Sequence, residues 1–213
     1  MKIKTFVFIF LLMTLELSAQ NLIEQSSEFP QYWSYKGELV LLLGGSVEDN
    51  LFQIPDLENS LDSLMKVGGN YVRNTMSSRD DGNLWAFYFD AKKELFDLGK
   101  WNDEYWARFE KFLQLTSDRD IVVQIELWAT FDFYRENWSK NPFNPKNNNN
   151  YTQQRVKLPE QIDTHPTWTE NPFFWSVPMQ QNNVLVLNYQ QRFVDKLLSY
   201  SLKYGNVLYC IDN

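Results

Sequence analysis

The stretch Asn206-Val207-Leu208-Tyr209-Cys210-Ile211-Asp212-Asn213 is a short apolar run that ends in two polar side chains. Apolar residues first and Asp-Asn last is the pattern of a buried parallel strand delivering polar groups to a cleft at its carboxyl end. In a (β/α) barrel, that end of the strand is where chemistry sits. Three earlier stretches read in a related way. Leu39-Val40-Leu41-Leu42-Leu43 closes on Gly44-Gly45 and is expected to be a first buried strand. Tyr71-Val72-Arg73-Asn74 is a second, apolar before polar. Ile121-Val122-Val123-Gln124-Ile125-Glu126-Leu127-Trp128 is a third.

Helical patterns separate these runs. Pro55 suits a first helical position, Asp56 and Glu58 favour the positive end of the helix dipole, and Leu57, Leu61, Leu64 and Met65 mark one face before Gly68-Gly69. Asn102 is expected to cap a second helix with Asp103 and Glu104 in its first turn, and Tyr105, Phe109, Phe112 and Leu113 form its apolar face. Tyr189, Phe193, Leu197 and Tyr200 face one way on a third helix, stopped by Gly205. Alternation of strand and helix implies a parallel sheet with right-handed crossovers. The residues from Thr75 to about Lys100 read as a loop. The segment from about 129 to 183 carries Pro and Asn throughout, including Asn147-Asn148-Asn149-Asn150. Its aromatics, among them Trp138, Phe143, Tyr151, Trp168, Phe173, Phe174 and Trp175, predict a packed insertion after the third strand.

A dinucleotide fold needs G-x-G-x-x-G opening a helix at the first turn, and Gly44-Gly45-Ser46-Val47-Glu48-Asp49 lacks that spacing and places acid where a pyrophosphate would lie. The long aromatic loops after the strands instead suit the carboxyl face of a TIM-type barrel. A whole barrel takes roughly 250 residues and eight strands; this chain of 213 residues offers four. The expected fold is therefore α/β, the first four strands of a (β/α) barrel, whose first and fourth strands are open edges prone to association.

Composition narrows the function. The net charge is -7 and the pI about 4.8, which excludes nucleic acid and anionic membrane surfaces as expected partners. One cysteine, Cys210, permits no internal disulfide and reads as a small apolar residue within its strand. Aromatic residues make up 16% of the chain, and those in polar loops offer flat surfaces for ring-shaped ligands such as sugars. At the N-terminus, Lys2 and Lys4, the apolar run Phe6 to Leu12 and Leu17-Ser18-Ala19-Gln20 form a signal-peptide pattern. Residues 1–20 are expected to be removed, leaving 21–213 as one exported domain, secreted or periplasmic. No cofactor and no metal site is expected: the single His165 lies in a loop without triad or zinc spacing, and the Asn run has no calcium-loop pattern.

In order, the chain resembles the N-terminal half of a clan A glycoside hydrolase of the cellulase/mannanase-like (β/α)8-barrel group. The features are the Gly-ended first strand, Tyr71-Val72-Arg73-Asn74, Glu126-Leu127-Trp128 and the Asn-ended Tyr209-Cys210-Ile211-Asp212-Asn213. The resemblance implies a retaining O-glycosidase acting on polysaccharide or oligosaccharide. Asn213 would contact the sugar's 2-hydroxyl, next to an acid/base Glu expected after it, and Arg73 would support a nucleophile carboxylate that this chain lacks. Retaining hydrolysis needs two carboxyl groups roughly 5–5.5 Å apart, so the chain alone is expected to be inactive. Many relatives have His where Glu126 stands.

The residues themselves keep two readings each. Arg73 is a nucleophile support or a structural ion pair. Glu126 binds a hydroxyl or pairs with Arg73. Trp128 stacks on sugar or packs in the core. Asn74, Glu48 and Asp212 are strand-end and first-loop groups placed to meet sugar hydroxyls, and a solvated acidic loop is the other reading of Glu48 with Asp49. The alternative function is a non-catalytic carbohydrate-binding module using the aromatic loops; a structural surface protein is a third.

Overall fold

The computed structural model describes residues 22–165 and 171–212. The signal-peptide pattern, Trp168 and Asn213 lie outside them. The described chain begins with a small antiparallel meander, β1 (Glu24–Gln25), β2 (Trp33–Tyr35) and β3 (Glu38–Val40). Lys36 and Gly37 turn β2 into β3 with φ of 53° and 81°, and Lys36 also pairs with Asp120. Next come α1 (Leu57–Lys66), β4 (Tyr71–Thr75), β5 (Phe87–Asp90), β6 (Leu95–Trp101), α2 (Asp103–Ser117) and β7 (Val122–Trp128). The short helices α3 (Arg135–Lys140) and α4 (Gln153–Val156) follow, then α5 (Val184–Ser201) and β8 (Val207–Asp212).

β4, β7 and β8 form a parallel sheet in that order, so neighbours in sequence are neighbours in space. Arg73 lies opposite Gln124, and Gln124 opposite Leu208; Glu126 lies opposite Cys210 and Trp128 opposite Asp212. This register puts Arg73, Gln124, Glu126, Leu208 and Cys210 on one face. Val72, Asn74, Val123 and Ile125 alternate with them and are buried. Their covering layer is aromatic: Tyr105, Trp106, Phe109 and Phe112 of α2 are buried, and Trp106 stacks on Tyr200 of α5 with ring centroids 5.7 Å apart. As expected, Asn102 caps α2 by accepting from the Glu104 N–H at 3.2 Å. α1 begins at Leu57, two residues later than Pro55 indicates.

The expected first strand is corrected. Leu39 and Val40 belong to β3, and Leu39, Leu41 and Leu43 are 52%, 62% and 53% exposed rather than buried. The segment runs beside β4 without a regular ladder. Leu43 donates to Asn70 Oδ1 at 2.8 Å, the Asn70 N–H donates to the Leu43 carbonyl at 2.8 Å, and Gly44 bridges Tyr71 in parallel. A Cβ at Gly44 would stand 1.9 Å from the Tyr71 carbonyl oxygen, so only glycine allows this approach. The leucines lie on a sheet margin where no outer layer of the described chain covers them.

A second correction concerns the stretch after β4. Where a loop was expected, β5 and β6 form an antiparallel hairpin, with Phe89 opposite Phe96 and their rings 5.0 Å apart. β6 in turn docks the asparagine run: Phe96 donates to the Asn147 carbonyl at 2.8 Å and accepts from the Asn149 N–H at 3.0 Å.

The insertion after β7 is packed, as its aromatics predict. Trp138, Phe143, Tyr151 and Phe173 are buried. Its asparagines supply the bonds that irregular backbone cannot make with itself. Asn144 Nδ2 donates to the carbonyls of Trp138 and Glu160 at 3.0 and 2.9 Å, and Asn148 Nδ2 to those of Pro142 and Asn144 at 3.0 and 2.9 Å. No helix among the described residues is long and apolar enough to cross a membrane.

Candidate active site

The carboxyl ends of the parallel strands carry a chain of alternating charges. Glu126 comes from β7 and Arg73 from β4. Asp49 lies in the loop after Gly44, Arg79 in the loop after β4, and Asp132 in the turn after β7. Arg73 Nε stands 2.6 Å from Glu126 Oε1, and its Nη2 is 3.2 Å from Asp49 Oδ1. Asp49 Oδ2 accepts from Arg79 Nη2 at 2.5 Å, and Arg79 Nη1 reaches Asp132 Oδ1 at 3.3 Å. Ser77 Oγ donates to the same Asp132 oxygen at 2.9 Å.

The backbone holds this chain in place. The Arg73 N–H donates to Ser46 Oγ at 3.0 Å, and the Ser46 hydroxyl donates back to the Arg73 carbonyl. Tyr71 donates its hydroxyl to Gln124 Oε1 at 3.0 Å, and Gln124 Nε2 donates to Glu126 Oε1 at 3.3 Å. The row Tyr71, Gln124, Glu126 and Arg73 is therefore one hydrogen-bonded and ionic layer on the face of the sheet opposite α2.

Glu126 is only 3% exposed, and its Oε2 has no hydrogen-bond partner. The Arg73 contact falls on Oε1 alone, as an ion pair. Burial pushes the Glu126 carboxyl above the usual range, and the Arg73 charge and Gln124 amide offset only part of that rise. Burial also raises Asp132, against the hydroxyl of Ser77 and the charge of Arg79. For Arg79, burial works against the cation, but Asp132 and Asp49 more than offset it and keep the guanidinium charged.

The structure thus brings Arg73 and Glu126 together, and recruits Asp49 in place of the solvated acidic loop expected for it. Glu48 is exposed and faces a broad groove outside α1, where Lys111 and Glu58 already pair at 2.7 Å. Asp212 is exposed at the end of β8. Asn74 is corrected as a sugar contact: it is fully buried, its Oδ1 accepts from the Phe52 N–H at 3.0 Å and its Nδ2 donates to the Thr75 carbonyl at 3.2 Å.

Trp128 is half-buried and packs against aromatic neighbours. Its ring lies 5.2 to 6.2 Å from those of Phe133, Phe143, Phe173 and Phe193. The adjoining cavity holds about 30 Å³, whereas ligand pockets run to roughly 300–1,000 Å³. Trp138 is buried with its Nε1 donating to the Pro159 carbonyl at 2.9 Å, so it walls no cleft. Among the described residues, no three His, Cys, Asp or Glu side chains gather as metal ligands do.

Sequence reading missed Arg79 and Asp132. Arg79 sits among Ser77, Ser78, Asp80 and Asp81 with nothing to set it apart. Asp132 carried one usable signal: it lies just past a strand end within an aromatic run, Phe131-Asp132-Phe133-Tyr134, where an acid is either solvated or held.

The arrangement of parallel strands joined by helices is shared with solved enzymes. The endo-1,4-beta-mannanase from Rhizomucor miehei superposes with a TM-score of 0.56 at 11% identity, covering 91% of this chain and 48% of that one. The chain shares the fold of the matched part of this glycoside hydrolase. The family 5 mannosidase from Rhizomucor miehei gives a TM-score of 0.55 at 13% identity, covering 90% and 48%. A single-residue variant of that enzyme in complex with mannosyl-fructose is matched at a TM-score of 0.53 and 11% identity over 90% and 48%. The chain therefore spans about half the length of these structures, as part of an α/β barrel. No protein-family model matches the chain, and no curated protein does.

Proposed function

We propose that the protein is an exported retaining glycosidase acting on polysaccharide or oligosaccharide, and that this chain supplies the N-terminal half of its barrel. The observation that carries the reading is the Glu126–Arg73–Asp49 cluster at the carboxyl ends of parallel strands in a glycoside hydrolase fold. Its ionic partners leave Glu126 Oε2 unpaired, a buried acceptor or, when protonated, a donor suited to a sugar hydroxyl. The coverage of about half of each neighbouring structure and the exposed leucines at the sheet margin favour further strands that close the barrel.

In this reading Arg73 has a second duty. Its guanidinium is partly exposed and carries donors beyond those facing Glu126 and Asp49, enough to steady a nucleophile carboxylate from the other half. Asn213 would hold the 2-hydroxyl beside the acid/base that follows it. The carbohydrate ligand of the mannosidase complex supports sugar as the partner class. The N-terminal signal pattern supports export.

The test is to express the full-length protein and the 213-residue chain separately and to incubate each with β-mannan and β-glucan. Reducing ends released by the full-length protein, with retention of anomeric configuration, and none by the shorter chain are expected. A well-folded full-length protein that releases none from either polymer or from aryl glycosides overturns the reading.

A further inference from the structure

The turn after β7 sends two phenylalanines in opposite directions. Thr130–Phe133 is a single tight 3-10 turn. Phe133 enters the core and stacks on Phe173 at 4.2 Å. Phe131, two residues earlier, remains 50% exposed.

Phe131 is not a stray surface ring. The guanidinium of Arg79 lies over it at 5.9 Å, and the rings of Tyr134 and His165 adjoin it at 5.7 and 5.6 Å, the His165 ring nearly perpendicular. Its position is held by these neighbours and by the Phe131 carbonyl, which accepts from Asn137 Nδ2 at 3.0 Å. Arg79 is the same side chain that binds Asp49 and Asp132, so the ring, a fixed cation and a partly exposed carboxylate are contiguous. They sit at the strand ends, where the fold places its chemistry.

A pyranose presents an apolar face of C–H groups and a rim of hydroxyls. Recognising it takes a rigid ring for the first and charged donors and acceptors for the second. Phe131 offers the ring with little side-chain freedom left to lose. Arg79 offers donors and Asp49 acceptors, already oriented by their mutual bond. Trp138, an obvious platform by residue type, is buried in the core, and the half-buried Trp128 ring is packed among phenylalanines.

We propose that Phe131 is the stacking platform of a sugar subsite, with Arg79 and Asp49 as its hydroxyl-binding edge, for a neutral hexose oligosaccharide. This rests on the glycosidase reading and places one subsite within it, on the side of the cluster formed by the loops after Gly44, β4 and β7.

The experiment is isothermal titration of the full-length protein with linear β-1,4-linked mannotetraose and, separately, cellotetraose, together with hydrolysis of aryl glycosides by the wild type. Phe131→Ala and Phe131→Leu are each expected to weaken tetrasaccharide binding about five- to tenfold, and Phe131→Trp to keep or tighten it. Leu preserves apolar packing but removes the π face, so equal loss with Leu and Ala separates stacking from mere support. Melting temperatures of all three variants close to the wild type are expected, since the ring is half exposed. Binding unchanged within twofold in Phe131→Ala overturns the platform, and if the wild type still cleaves aryl glycosides the glycosidase reading survives. A wild type that binds through Phe131 but cleaves nothing keeps the platform and overturns the glycosidase. Neither binding nor cleavage overturns both.

Discussion

The two faces of the β4–β7–β8 sheet meet very different surroundings. Val72, Val123 and Ile125 lie under the aromatic layer of α2 and α5 and are buried without polar partners of their own. On the other face, Arg73, Gln124 and Glu126 are joined through ions and amides and leave Glu126 Oε2 without a partner, while Leu41, Leu43 and Ile211 are exposed at the margins of the sheet. One face is covered by helices over β4 and β7. The other carries its own charge pairing but has no covering layer among the described residues. Packing energy and chemistry are thus separated by a period of two along the same strands.

Four substitutions sharpen or break that contrast. Ile125→Ala on the covered face removes a fully buried side chain and is expected to cost about 2–5 kcal/mol in urea unfolding. A loss below about 1 kcal/mol would show that the covered face is not the stabilising one. Arg73→Met leaves Glu126 buried beside no cation. The expected cost is about 1–3 kcal/mol, less than for a fully buried pair because Arg73 is partly exposed, and a cycle with Glu126→Gln should show the two effects to be strongly non-additive.

Glu126→Gln sharpens the contrast through pH. The folded protein raises the Glu126 carboxyl, so it binds its proton more tightly than the unfolded chain does. That contribution is present below the unfolded carboxylate range and is lost as pH rises through the folded value. The melting temperature of Glu126→Gln relative to the wild type should therefore climb between pH 4 and pH 7. A flat or falling difference would mean that Arg73 holds the carboxyl down instead. The smallest effect is expected from Leu41→Ser in the 213-residue chain, within about 0.5 kcal/mol. Under the proposed closure of the barrel, the same change in the longer protein is expected to cost about 2 kcal/mol or more.

The elements with strong local signals were legible in the sequence. α2 announced itself through the Asn102 cap and its aromatic stripe, and β7 through a mostly apolar run ending in Glu-Leu-Trp. The insertion was legible as packed because its aromatics far exceed what a free linker carries. The β5–β6 hairpin was hidden, since Phe87-Tyr88-Phe89 and Leu95-Phe96 sit among Asp, Gly and Lys that read as loop, and their pairing is settled by docking against Asn147 and Asn149. The leucine run was misread because an apolar strand and an uncovered sheet margin have the same composition. At the site, Arg73 and Glu126 were visible as polar residues at strand ends; Arg79, Asp132 and Phe131 were not, because loop residues acquire partners only when three loops converge.

The sequence by itself determined the alternation of strands and helices, the parallel sheet that follows from it, and the delivery of Arg73 and Glu126 to the carboxyl ends. These rest on periodicity and local chain direction, which act over a few residues. Only the tertiary structure decided which tryptophans are core, that Asn74 belongs to the fold, and that Asp49 joins Arg73 to Arg79. Those outcomes depend on which distant segments share a volume, and both the cost of burial and the worth of an ion pair are set by what lies across it.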